Sequence, residues 1–203
     1  MKSTDVVASF LIGVIAALLM FAVSRSLPLP AAANPYFAPL LVAFPLATLA
    51  TIAVGTFLRR HVCIFYELAK FGLVGGSNFL VNLGVLNFLI ALTHIPRGVH
   101  ANVFKVTSFL VAVTRRFFWN KLWTFGSVST SWAGRQFVEF FIVSVVGLII
   151  NVGSFDAINN GIRSPDGIPP RTWANIAAGG AAVVSALWNF FGYKFVVFRR
   201  RIL

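Results

Sequence analysis

Six stretches of the chain are apolar almost without interruption, and short polar or turn-forming segments separate them. A helix rises 1.5 Å per residue, so ~20 apolar residues cross ~30 Å of hydrocarbon. The pattern therefore predicts membrane-spanning helices over about 6–24, 36–58, 68–93, 101–120, 137–158 and 173–196. Pro45 falls inside the second and is expected to kink it. The connections, among them SLPLPAAANP, HIPRG, GSVSTSWAG and NNGIRSPDGIPP, are rich in turn formers and too short to hold a soluble catalytic domain. The first stretch, Val6 to Val23 behind Lys2, has the outline of a signal peptide. Its apolar core is too long for that and a second span follows closely, so it is read as a retained helix. The expected fold class is an all-α, polytopic membrane bundle of six transmembrane helices.

Two of the apolar runs end alike. FFWNKLWTF (117–125) and FFGYKFVVF (190–198) both read F-F-x-x-K-[LF]-x-x-F and lie 73 positions apart. Upstream, Asn82-Leu83-Gly84 and Asn151-Val152-Gly153 correspond at an offset of 69, and four residues added to the last loop reconcile the two offsets. The third and fourth helices thus form one hairpin and the fifth and sixth its copy, over about 67–125 and 136–198. Each copy crosses the membrane an even number of times, so the two enter in the same direction. That is a parallel repeat about an axis along the membrane normal. Residues 1–62 are an added N-terminal hairpin, and 63–203 form the four-helix domain.

Composition agrees with the bilayer. Of the residues, 58% are hydrophobic and only 11% charged, and Phe occurs 22 times, which excludes an ordinary soluble domain. A net charge of +12 raises nucleic acid as a partner. The cations, however, flank the spans instead of forming a basic face, so they orient the chain and nucleic acid is not expected. With a cytoplasmic N-terminus, Lys2, Arg59, Arg60, Lys70, Arg115, Arg116, Lys121, Arg135, Lys194 and Arg199 to Arg201 lie inside, twelve cations. Arg25, Arg97, Lys105, Arg163 and Arg171 stay outside, so both termini are expected in the cytoplasm. The single Cys63 excludes an internal disulfide. No phosphate-binding loop, His-Glu-x-x-His motif or carboxylate cluster is present, and His61, His94 and His100 fall near span ends. Neither catalysis, a cofactor nor a metal site is expected.

The fourth helix is the anomalous span. Only nine residues, VTSFLVAVT, separate Lys105 from Arg115, so cations must lie in or at the edge of the hydrocarbon. Lys105 and Arg116 are ~16 Å apart along a helix and within ~20° of one face. They either snorkel to the two interfaces or form an inward cationic stripe, continued by Asn120 one turn on. The second alternative suits an anionic lipid headgroup, since pairing with guanidinium offsets the cost of a bare anion in hydrocarbon. Lys121 and Lys194 are snorkelling lysines within the repeated motif and join the candidate headgroup-binding set. Asn78, Asn82, Asn151 and Asn189 serve either as interhelical hydrogen-bonding groups or as a lining for sugar hydroxyls. Glu67, Glu139 and Asp156 are expected to pair with cations. Gly72 with Gly76, and AAGGAA over 177–182, permit close helix approach or dimerisation.

The segment ELAKFGLVGGSNFLVNLGVLNFLI (67–90) resembles the opening of GtrA-like membrane proteins, and FFWNKLWTF resembles that family's ending, with Asn120, Lys121, Trp123, Thr124 and Phe125 in the matching places. The resemblance covers about residues 64 to 200. The N-terminal hairpin is additional to the usual four-helix unit, Arg116 stands where a small polar residue is usual, and the second copy has Tyr193 where the first has Asn120. The resemblance implies a role in cell-surface polysaccharide synthesis in a prokaryotic cytoplasmic membrane. It implies membrane lipids and a polyprenyl-phosphate-linked sugar as partners, and flipping of that sugar between leaflets as the activity. The alternative is a non-transporting adaptor that recruits a glycosyltransferase to its lipid-linked substrate. A homo-oligomer is compatible with both, and a small proton-coupled exporter ranks behind them because the third helix has no deep acid.

Overall fold

The computed structural model describes residues 2–26, 37–95, 98–127, 132–162, 164 and 170–199. Six α-helices follow in order: α1 (Ser3–Ser26), α2 (Phe37–Leu58), α3 (Ile64–Thr93), α4 (Gly98–Trp119), α5 (Ala133–Asn159) and α6 (Pro170–Gly192). No strand occurs among the described residues. The chain is thus a polytopic helical membrane bundle, as the apolar pattern predicts. Five of the helices are long and apolar enough to cross a membrane, and α4, interrupted by its cations, is the one that falls short.

Both hairpins end in a feature the sequence pattern does not foretell. The expected fourth and sixth helices stop near 120 and 196, whereas α4 and α6 close at Trp119 and Gly192 and continue as π-helical turns, Asn120–Thr124 and Tyr193–Val197. The Phe125 N–H donates to the Asn120 carbonyl at 2.9 Å, and the Phe198 N–H to the Tyr193 carbonyl at 2.8 Å, five residues back in each case. Such turns are rare and cluster at functional sites. Here they coincide with the repeated motif, and its first Phe (Phe117, Phe190) and fourth residue (Asn120, Tyr193) are buried in both copies. The repeat is therefore one of backbone shape as well as of sequence.

The chain divides into two compact units, 1–126 and 127–203. In the first, α1 and α2 pack on each other and on α3. Glycines make this possible. A Cβ on Gly13 of α1 would meet the Pro45 Cα at 2.5 Å, one on Gly55 of α2 the Ala69 Cβ at 2.8 Å, and one on Gly84 of α3 the Leu19 side chain. Lipid supplies no hydrophobic force between helices, so such close approach and its dispersion contacts carry the packing. Gly72 and Gly76 have open space where their side chains would be and make no close approach among the described residues.

In the second unit α5 and α6 meet at Gly147, against the Asn189 side chain, and at Gly192, against Val143. Ala177 and Ala181 of the AAGGAA segment are fully buried. The Tyr193 hydroxyl lies 2.6 Å from the Ser144 hydroxyl, and its ring stacks on Phe140 at 4.3 Å.

Candidate functional site

The two adjacent arginines of α4 point about 100° apart by helical geometry, and the fold treats them differently. Arg115 turns to α3, where its Nη2 donates to the buried Ser77 hydroxyl at 3.1 Å. Its guanidinium lies 5.5 Å from the centre of the Trp119 ring. Nη1 is buried without a hydrogen-bond partner among the described residues. On its other side Arg115 borders an open groove of about 480 Å³ formed with Leu110, Val111, Thr114 and Phe118. Arg116 lies against the Phe71 ring at 5.6 Å.

The other expected residues divide between this place and others. Asn120 is fully buried, its amide nitrogen donating to the Arg116 carbonyl at 3.0 Å and its oxygen without a hydrogen bond among the described residues. Asn78 on α3 also buries an amide oxygen without a hydrogen bond. Asn82 accepts from the Ser108 hydroxyl at 2.8 Å, a bond that joins α3 to α4. Lys105 is exposed and Lys121 is buried. On α4, Lys105 is exposed, whereas Arg116 packs on the Phe71 ring.

In the second unit, Asn151 donates to the Ser185 hydroxyl at 3.1 Å, a bond that joins α5 to α6. Asn189 is buried with its oxygen lacking a hydrogen bond among the described residues, and Lys194 lies 5.9 Å from both the Phe190 and Phe195 rings. Among the expected charge-pairing acids, Glu139 pairs with Arg135 on its own helix at 2.7 Å. Asp156 accepts from Asn160 at 2.7 Å, and Glu67 is half-buried on α3.

One acid, absent from the expected set, is held by three side-chain donors in the first unit. Asp5, at the start of α1, is 2% exposed, a degree of burial that an unpaired carboxylate would not tolerate. Lys70 of α3 approaches its Oδ1 to 2.6 Å, the Trp123 indole N–H donates to the same oxygen at 3.0 Å, and the Tyr66 hydroxyl donates to Oδ2. The Lys70 ammonium is flanked by rings, 4.5 Å from the centre of Tyr66 and 5.2 Å from that of Trp123. The start of α1, the start of α3 and the π-helical end of α4 therefore meet at one end of the unit. Tyr66 and Lys70 stand one helical turn apart, which was a usable signal. Nothing in the spacing announced that Asp5 would complete the group.

An open hollow of about 220 Å³ is lined by Phe118, Trp119, Leu122 and Trp123 at the end of α4. Phe118 also borders the Arg115 groove, and Trp123 also bonds Asp5. Trp119 and Trp123 contact edge to face at 5.6 Å. One aromatic band thus connects the Arg115 groove with the Asp5 cluster.

Comparison with known proteins bears on what this arrangement serves. A segment of 85 residues, 42% of the chain, is 27% identical to dolichol-phosphate mannosyltransferase of Pyrococcus furiosus and spans 23% of that protein. No solved structure matches. The model of the GtrA/DPMS transmembrane domain matches residues 70–198, which is both hairpins and well over half of the chain. On that match, and with the two π-ended hairpins it spans, the chain belongs to the GtrA/DPMS transmembrane-domain family.

Proposed function

We propose that the chain carries the phosphate of a polyprenyl-phosphate-linked sugar across the bilayer for cell-surface polysaccharide or glycan synthesis, with Arg115 as the headgroup contact. Membership of the GtrA/DPMS family supports a place in lipid-linked sugar glycosylation. The observation that supports the finer reading is Arg115, which lines an open groove on α4 and whose Nη1 is buried without a hydrogen-bond partner among the described residues. A phosphate there would replace part of its lost hydration with a charge-assisted bond. The prenyl tail would remain in the acyl chains, so the protein has only to shelter the headgroup.

Asn78 and Asn120 offer amide oxygens to sugar hydroxyls from the same unit. Lys105, exposed on α4 ten residues before Arg115, gives a later contact nearer the opposite interface. In this reading both termini are cytoplasmic, the membrane is the inner membrane of a prokaryote, and the chain performs no covalent chemistry.

The test is transfer of a fluorescent polyprenyl-phosphate sugar between leaflets of liposomes containing the purified chain. Accelerated transfer that Arg115→Gln slows by about 10- to 100-fold supports the proposal, and transfer no faster than in protein-free vesicles refutes it.

A second reading has its own support: the relative of matching sequence is by its name a mannosyltransferase, most of which lies outside the matched segment. There the chain would be an adaptor that recruits a glycosyltransferase to its lipid-linked substrate. Co-purification with a glycosyltransferase that survives neutralising Lys105, Arg115 and Arg116, in vesicles showing no transfer, would favour the adaptor.

A further inference from the structure

The Asp5 cluster is built as a binding site whose ligand is part of the chain. Three donors from two elements, the Lys70 ammonium and Tyr66 hydroxyl of α3 and the Trp123 indole N–H of the π-helical turn, converge on one carboxylate. The carboxylate is supplied by a third element, α1. If Asp5 were removed, the donors would still be positioned, because the two rings flank the ammonium and the Lys70 Nζ also lies 3.4 Å from the Trp123 carbonyl. What remained would be a desolvated cation and two oriented donors seeking an anion. Non-bridging phosphate oxygens accept the same three bonds.

The surroundings match such a ligand. The hollow beside Trp123, with Phe118, Trp119 and Leu122, is apolar and aromatic, suited to the first isoprene unit of a prenyl phosphate. It shares Phe118 with the Arg115 groove, so a headgroup leaving Arg115 along the aromatic band arrives at Trp123. Asp5 stands at the end of that path.

We propose that Tyr66, Lys70 and Trp123 form a phosphate-monoester site that Asp5 occupies as an internal substitute, so that the start of the N-terminal hairpin closes the site and its withdrawal opens it. This gives the added hairpin a regulatory role. It deepens the lipid-phosphate reading but needs no transport step, so binding at this site and failure of transfer between leaflets are separable results.

The experiment uses the full chain in detergent micelles, with tryptophan fluorescence reporting binding of citronellyl phosphate and, separately, inorganic phosphate. Asp5→Asn is expected to bind citronellyl phosphate about tenfold more tightly than the unaltered chain, the gain from one restored charge-assisted bond. Adding Lys70→Gln to that variant is expected to abolish the gain. A gain for citronellyl phosphate alone assigns the site to a lipid headgroup, and an equal gain for inorganic phosphate assigns it to phosphate as such. Either supports the site.

A second readout keeps Asp5 in place. Ser9 is fully buried, and its hydroxyl donates to the Asp5 carbonyl at 2.6 Å. In a Cys63→Ser background, Ser9→Cys is expected to react with a water-soluble maleimide severalfold faster when citronellyl phosphate is present. A monodisperse Asp5→Asn protein with no gain for either ligand overturns the proposal. Should that variant not purify as folded protein, labelling at position 9 unmoved by ligand overturns it.

Discussion

Replacing Lys70 by Met and Asp5 by Asn removes the same ion pair from opposite ends, and the structure predicts unequal costs. The pair is 2.6 Å long, with the lysine side chain 10% and the aspartate side chain 3% exposed. Breaking a buried pair by deleting one partner costs about 3–5 kcal/mol, because the remaining charge is left uncompensated. Lys70→Met leaves a carboxylate on a short stem, with no reach to water and only the Tyr66 and Trp123 bonds, so it is expected to lose about 3 kcal/mol or more. Asp5→Asn leaves an ammonium on a long stem that two rings still flank. Each such contact is worth ~0.5–2 kcal/mol, and the new amide oxygen still accepts from Trp123, so the loss should be only about 1–2 kcal/mol. The double variant should lose less than the sum of the two. Unfolding of the three variants in micelles, completed as a double-mutant cycle, measures these differences. Equal losses, or a Lys70→Met loss below about 1 kcal/mol as found for surface pairs, would refute the claim that the cluster is desolvated.

Three further outcomes follow from the geometry. Gly147→Ala drives a methyl group into the Asn189 side chain and is expected to cost about 1–3 kcal/mol, whereas Gly72→Ala and Gly76→Ala, with open space around them, should be neutral or stabilise by about 0.5–1 kcal/mol; thermal unfolding separates the two classes. Arg115→Gln should slow lipid-linked sugar transfer by about 10- to 100-fold, the worth of a hydrogen bond to a charged group, while Lys105→Gln has the smaller effect because that lysine is exposed; initial transfer rates in liposomes test both. Tyr193→Phe removes the 2.6 Å contact with Ser144 but keeps the stack on Phe140, so it should cost about 1 kcal/mol in an unfolding titration.

Arg115 and Arg116 show how far a sequence reading reaches. Their presence near the end of a span, and the strain this puts on α4 as a membrane helix, follow from spacing alone. Which of them turns to Ser77 and which to Phe71 depends on the rotation of α4 against α3, and the helix period does not contain that rotation. The glycines teach the same lesson. Gly72 and Gly76 have the spacing of a packing motif yet lie open, while Gly13, Gly55 and Gly84 have no shared spacing and make the close approaches.

The sequence by itself determined the six helices and the repeated motif in which α4 and α6 give way to π-helical turns, though not the turns themselves. Bilayer thickness sets the length of an apolar run whatever its neighbours, and the two F-F-x-x-K-[LF]-x-x-F segments carry their π-helical turns in the same register. Only the tertiary structure decided that Asp5 lies among Tyr66, Lys70 and Trp123, residues 61 to 118 positions away. In lipid every face of a helix is equally apolar to its surroundings. The choice of facing residues therefore rests on where small side chains let backbones approach and where a buried charge finds its donors, and both are properties of the assembled helices.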